Sequence, residues 1–398
     1  MQRKPYILAS ALALISVSAA GYSGYVQIGD VRARQTGANA ALAPIPPGIL
    51  PADTKMPVQP EPMTVVQQHA LARAASHAPL DQDVFNLFYA DQIRTGASVD
   101  RARRLAGLLA RLGWRHTPAQ QNLIVRNLLD ADFRTTIDRA DGLIRRQKLE
   151  EFAFLILSAM EATPETQPDV IAKLRPGPSW RRAYLSVIAP NSPPALLTAR
   201  VGTINALLSS PKRITRAEAA QSLTSLIGSG RGRIAQELWR RVMGDAEQKN
   251  VVYDPAFVES RALAGTAEPT IPFNWQFNQD LGFSTTPSSE GTVIDWDHRG
   301  APTFMTQTVV ISGGRPLALT ILGDADQSDV SKLLHPSLDC AGTTIPFVGT
   351  AISGGARYYS PVVPPRCEIG ILRIGGAVDA AIGQVTLRVH KVDLRPVP

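Results

Sequence analysis

The chain has 398 residues, 44% hydrophobic and 19% charged, the composition of a folded protein with some disordered sequence and enough length for two domains with proper cores. Its net charge of +7 is uneven: residues 1–249 hold 31 Lys and Arg against 20 Asp and Glu, whereas residues 250–398 hold 10 against 14. A basic half ordinarily raises nucleic acid as a partner, but export, which the N-terminal stretch predicts, disfavours it and makes anionic lipid headgroups or an acidic polysaccharide the better candidates.

Arg3 and Lys4 precede Tyr6–Ile28, a stretch of 23 residues without a charge. At 1.5 Å per residue a helix of that length crosses a hydrocarbon core of ~30 Å. Residues 1–29 are therefore expected to be a signal anchor, single-pass, with the basic end in the cytoplasm and the rest of the chain outside. The alternative is cleavage after Ser18-Ala19-Ala20. Residues 30–62 follow as a linker. Seven prolines between Pro44 and Pro62 block helix and sheet and favour extended polyproline II.

Over residues 63–249 apolar residues recur at helical spacing. The pattern predicts helices over Leu80–Thr95, Val99–Leu112, Ala119–Asp130, Phe133–Arg146, Glu150–Ala162, Trp180–Ile188, Pro194–Leu208, Arg216–Ile227 and Arg233–Met243. Asp81, Ser98, Thr117-Pro118, Thr163-Pro164-Glu165 and Thr215 supply start signals. There is also a weak repeat. His77-Ala78-Pro79 recurs as His116-Thr117-Pro118, 39 residues on, and Asp100-Arg101-Ala102 with Leu105 recurs as Asp138-Arg139-Ala140 with Leu143, 38 residues on. Helix hairpins at that period predict a tetratricopeptide-like α-solenoid, with an irregular helical bundle as the alternative. Residues 100–148 are the most basic segment. Arg101, Arg103, Arg104, Arg111 and Arg115 form either a surface for a protein partner or the solvated backs of amphipathic helices, partly paired to Asp130, Asp132, Asp138 and Asp141.

From residue 250 to 398 the pattern becomes short apolar runs separated by turns. Predicted strands are Ile271–Asn278, Thr292–Trp296, Phe304–Ile311, Leu317–Leu322, Ile345–Ile352, Glu368–Ile374 and Gly383–Leu394. The last alternates through Val385, Leu387, Val389 and Val392, with a one-residue shift near its end. Strands at this density without intervening helices predict an antiparallel β-sandwich. The fold class is thus multidomain, α then β. Cys340 and Cys367 are the only cysteines, and in an oxidising compartment they would form a disulfide; the alternative is two buried thiols.

Three stretches carry a resemblance: Pro272-Phe273-Asn274-Trp275-Gln276-Phe277, Pro364-Pro365-Arg366-Cys367 with Leu372 and Ile374, and the closing run from Gly383 to Val392. They resemble a recurrent proteobacterial family of single-pass periplasmic proteins, in which a tetratricopeptide-like region precedes a carbohydrate-binding-module-like jelly roll. That family is associated with exopolysaccharide production. The resemblance covers most of residues 63–398 in architecture. It implies a non-catalytic accessory role in polysaccharide assembly or export, without a cofactor.

No metalloprotease, nucleophile-elbow, phosphate-loop or dinucleotide fingerprint occurs. Asp324, Asp326 and Asp329 could hold Ca²⁺ at a turn, although a polar hairpin is the simpler reading. Asp295 and Asp297 would share one strand face, and Glu290 is near, so a carboxylate pair for an enzyme reading is geometrically possible, although any Asp-x-Asp on a strand provides one. Sugars are commonly held on aromatic faces. The candidates are Trp296, Tyr358 and Tyr359, expected to be exposed or else packed, and Trp275, read as core because it alternates with Phe273 and Phe277. The expected function is a membrane-anchored, periplasm-facing scaffold that contacts glycan. A polysaccharide-modifying enzyme and a purely protein-binding adaptor are the alternatives.

Overall fold

The computed structural model describes residues 64–77, 81–94, 98–112, 114–244, 250–264, 272–297, 300–326, 328–340, 342–377 and 383–397. The expected anchor and linker, residues 1–29 and 30–62, lie outside them. Among the described residues, no helix is long and apolar enough to cross a membrane. Helices come first and an antiparallel β-sandwich of two sheets follows. The chain divides into two compact units, one comprising the residues up to Tyr184 with Pro193–Lys212, the other Leu185–Ser192 with Arg213–Pro398.

The first unit contains α1 (Val65–His77), α2 (Gln82–Arg94), α3 (Val99–Leu112), α4 (Thr117–Leu129), α5 (Phe133–Arg145), α6 (Glu150–Glu161), α7 (Gln167–Leu174) and α9 (Pro194–Leu208), with α8 (Arg181–Ser186) at its boundary. Some of the helices begin where a short polar side chain satisfies their free amides. The Asp81 carboxylate accepts from the Asp83 and Val84 amides at the head of α2, and Asp132 accepts from Thr135 at the head of α5. Two helices of this unit, α1 of 13 residues and α7 of 8, add to those the periodicity predicts. Two side-chain hydrogen bonds link segments distant in sequence. Asn122 donates to Asn86, 36 positions away, and Trp180 donates to Asp141, 39 positions away, close to the recurrence in the sequence.

A fully buried ionic cluster pins α6 to α9. Arg200 donates through Nε and Nη2 to the Glu161 carboxylate at 3.0, 3.2 and 2.8 Å, and both side chains are fully buried. The Tyr184 hydroxyl donates to Glu161 Oε2 at 2.6 Å, and the Arg200 guanidinium lies 4.7 Å from the Tyr184 ring centroid. Burial first, then the adjacent Glu161 carboxylate, pushes the Tyr184 hydroxyl well above its ordinary pKa. Burial opposes the charge on Arg200, but Glu161 outweighs it and raises the guanidinium pKa.

The second unit holds α10 (Arg216–Gly228), α11 (Gly232–Met243), α12 (Val258–Leu263), α13 (Val330–Leu333) and the sandwich. Two helices of the 63–249 stretch, α10 and α11, thus belong to the same compact unit as the strands. Thr215 and Glu218 form a reciprocal capping box on α10. Ser222 and Ser225 of α10 donate to the carbonyls of Leu185 and Ile188.

The strands are β1 (Gln276–Phe277), β2 (Phe283–Ser288), β3 (Gly291–Trp296), β4 (Thr303–Val310), β5 (Leu317–Ala325), β6 (Leu334–Cys340), β7 (Thr343–Pro346), β8 (Val348–Ile352), β9 (Gly355–Tyr359), β10 (Ile369–Gly376) and β11 (Val385–Pro396). One sheet runs β1-β4-β10-β6-β7 and the other β2-β3-β11-β5-β9-β8. The run Ile345–Ile352, expected as one strand, is divided between the two sheets at Phe347. The sequence pattern also missed β2, β6 and β9. In β2 the sequence Phe283-Ser284-Thr285-Thr286-Pro287-Ser288 is polar and carries a proline, which an edge strand tolerates.

Alternation places Leu317, Leu319 and Ile321 of β5 in the core between the sheets, with Val385, Leu387 and Val389 of β11 beside them. The one-residue shift expected near the chain end is a β-bulge: Val389 pairs with Gly323 and Lys391 with Leu322, leaving His390 as the extra residue. The bulge returns Val392 and Leu394 to the core.

Cys340, at the end of β6, and Cys367, just before β10, form a disulfide with 5.7 Å between Cα atoms. It closes a separation of 27 residues, worth about 3–4 kcal/mol on the chain-entropy account. Reduction, or paired Cys340→Ser and Cys367→Ser, is expected to lower the unfolding free energy by about that amount. Denaturant titration with and without reductant measures it, and coincident midpoints would show that the cross-link adds nothing.

Candidate functional site

The aromatic candidates separate by strand parity. Trp296 is 3% exposed, not at the surface, and its ring meets Phe304 edge-on at 5.3 Å between centroids. In β3 the inward residues are Thr292, Ile294 and Trp296, and Asp295 points out. Asp295 is thus an outward position of a strand whose Trp faces the core, and Asp297, half-buried, lies just beyond the strand's end. Gly376 makes room for it, since a Cβ there would stand 2.8 Å from the indole. Tyr358 is buried too, correcting its expected exposure. Its ring covers Gly349 on the paired strand and its hydroxyl donates to the Val330 carbonyl at 3.2 Å. Burial raises its hydroxyl pKa. Trp275 is core, as its alternation implied, with its indole N–H donating to the Asp254 carbonyl.

Tyr359 is the exposed member of the set, at 46%. Adjacent strand residues point to opposite faces, so burying Tyr358 turns Tyr359 outward. It stands on the outer face of the six-stranded sheet, where β9, β5 and β11 run side by side. The register sets rows across that face. Tyr359 pairs with Ala318 and Ala318 with Arg395; Arg357 pairs with Thr320 and Thr320 with Asp393; Leu322 pairs with Lys391. These residues line an open groove of about 480 Å³, within the roughly 300–1,000 Å³ of small-ligand sites. Asp393 holds Arg395 by two parallel bonds, Nε to Oδ1 at 2.9 Å and Nη2 to Oδ2 at 2.6 Å.

Farther along the same face the polar groups are engaged with one another. Both ring nitrogens of His390 meet acceptors, Nδ1 the Glu290 carbonyl at 2.5 Å and Nε2 the Asp324 carboxylate at 2.6 Å. Arg388 also reaches Asp324, at 3.7 Å, and Asp326 accepts from the Thr386 amide. The three aspartates weighed as a Ca²⁺ alternative are not brought together. Asp324 and Asp326 are each engaged separately, Asp329 leads into α13, and no group of three candidate ligands occurs among the described residues. Asp295 accepts from the Thr386 hydroxyl.

The bond to the Glu290 carbonyl, followed by the contacts with Asp324, raises the His390 pKa above its ordinary 6.5. Folding thus favours the charged ring. Its stabilisation is full below about pH 6.5 and is lost as pH rises through the raised folded value. His390→Ala is expected to lower the melting temperature more at about pH 5 than at about pH 9. Equal losses in thermal melts at the two pH values would exclude the charged form as the cause.

On the helical unit, Arg101, Arg104, Leu108 and Arg111 of α3 recur at helical spacing and are exposed. Arg115 lies over the exposed Trp114 ring, 4.4 Å from its centroid. Arg103 sits off that line and pairs with Asp100 at 3.4 Å. In the following segment Arg126 is held by Asp130, Arg145 by Asp141 and Arg139 by Gln120, while Asp138 takes Lys173. The basic segment therefore divides into a paired part and an exposed stripe on α3. No protein-family model and no curated protein matches the sequence.

Proposed function

We propose that the chain is a membrane-anchored, periplasm-facing scaffold whose sandwich binds glycan at the outer face of the six-stranded sheet, an accessory role in exopolysaccharide assembly or export. The observation that carries this is Tyr359, exposed beside Thr320, Arg357 and Asp393 in an open groove. An aromatic face with hydrogen-bonding groups around it suits the apolar and hydroxyl-bearing sides of a sugar ring. The disulfide supports export, because such bonds persist in oxidising compartments. The resemblance to single-pass periplasmic proteins with a tetratricopeptide-like region and a jelly roll supports the setting. In this reading the α3 stripe, Arg101, Arg104 and Arg111 with Trp114 and Arg115, receives an acidic protein partner.

Affinity electrophoresis of the full chain through gels containing bacterial polysaccharides tests the proposal. Retardation by a polymer is expected to weaken about tenfold or more in Tyr359→Ala, since stacking contributes roughly 1–3 kcal/mol in comparable aromatic sites. Migration unchanged by every polymer, from folded and disulfide-bonded protein, would remove the glycan and leave a protein-binding adaptor.

A further inference from the structure

The charges around Tyr359 name the class of sugar. We propose that the groove selects acidic polysaccharide, holding a uronate-type carboxylate at Arg357 and Lys391 while the ring stacks on Tyr359; this rests on the glycan reading above.

Four charged side chains line the groove, and they are not equivalent. Arg395 is neutralised by its two bonds to Asp393. Arg357 and Lys391 have no carboxylate partner among the described residues, so the groove carries two uncompensated cations. They stand in adjacent rows on either side of β5, opposite Thr320 and Leu322. This occurs in a stretch, residues 250–398, where acidic residues outnumber basic ones by 14 to 10. Elsewhere on the same face Arg388 meets Asp324, so unpaired cations are not general there.

The spacing suits one ligand. Arg357 and Tyr359 are two residues apart on one strand, hence on one face and roughly 7 Å apart. Lys391 lies two strands from β9, roughly 10 Å across the sheet. Arg357 offers the planar fork that matches a carboxylate, and Lys391 offers a mobile point charge. A neutral sugar would engage both only as hydrogen-bond donors to hydroxyls and leave their charges unpaired.

The test compares a uronate polymer, polygalacturonate, with the same polymer after carboxyl reduction, in affinity electrophoresis of the full chain. The parent is expected to be retarded at least tenfold more strongly by the uronate form, with retardation falling as salt rises. Arg357→Gln and Lys391→Gln should each weaken it severalfold while the melting temperature stays unchanged, because both side chains are exposed. Equal retardation by the charged and reduced polymers, lost in Tyr359→Ala, would overturn the acidic selection and keep the glycan site. Retardation unaffected by Tyr359→Ala, Arg357→Gln and Lys391→Gln would overturn the site itself. No retardation by either polymer, or by an alginate or hyaluronate control, would overturn both.

Discussion

Arg200→Met is expected to lower the unfolding free energy of the helical region by about 3–5 kcal/mol. The substitution removes a side chain that is fully buried and leaves the equally buried Glu161 carboxylate with the Tyr184 hydroxyl as its remaining partner. A carboxylate in that position loses the Coulomb attraction that offset its desolvation. Glu161→Leu alone should be comparably harmful, because it strands the guanidinium. The double variant is expected to regain most of the loss, since an apolar pair of similar volume often replaces a buried ion pair at little cost. Urea unfolding followed by helical circular dichroism measures all three. Additive losses in the double variant would show that the two charges are not coupled in solution.

Trp296→Ala is expected to destabilise the sandwich by about 3–5 kcal/mol, the cost of emptying a large aromatic site in a packed core. The indole is enclosed by Phe304 and by the backbone at Gly376, neither of which can collapse far into the space left. Any loss of ligand in that variant would therefore follow from unfolding. Tyr359→Ala, at an exposed position, should shift stability by no more than about 0.5 kcal/mol. Denaturant melts of the two variants separate the roles. A stable Trp296→Ala protein would mean that the indole is not part of the core, and would return it to the candidates for sugar contact.

Much of the candidate site was present in the sequence as strand parity. Tyr358-Tyr359 is a pair of neighbours, and in a strand one of them must face the core. Asp295-Trp296 follows the same rule, with the aspartate outward. The decisive fact, which member of Tyr358-Tyr359 turns inward, depends on pairing with β5 and β8, and no local signal carries it. The division of Ile345–Ile352 between two sheets escaped for the same reason. An apolar run specifies burial but not which sheet receives it.

The buried ionic cluster illustrates the division most clearly. Arg200 is the only charged residue in α9, and Glu161 follows an uncharged run, Phe152–Met160, in α6. Lone charges in apolar helices announce a buried partner, because an isolated one could not be desolvated. The sequence by itself determined the order of helices and strands, the caps at Asp81 and Thr215, the bulge near His390 and the cysteines available for a cross-link. These follow from local periodicity, local hydrogen bonding and residue count. Only the tertiary structure decided that Glu161 meets Arg200, that Cys340 lies beside Cys367, and that Arg357, Tyr359 and Lys391 share one groove. Those are meetings between distant segments, fixed by how the packed elements exclude water and not by any residue's immediate neighbours.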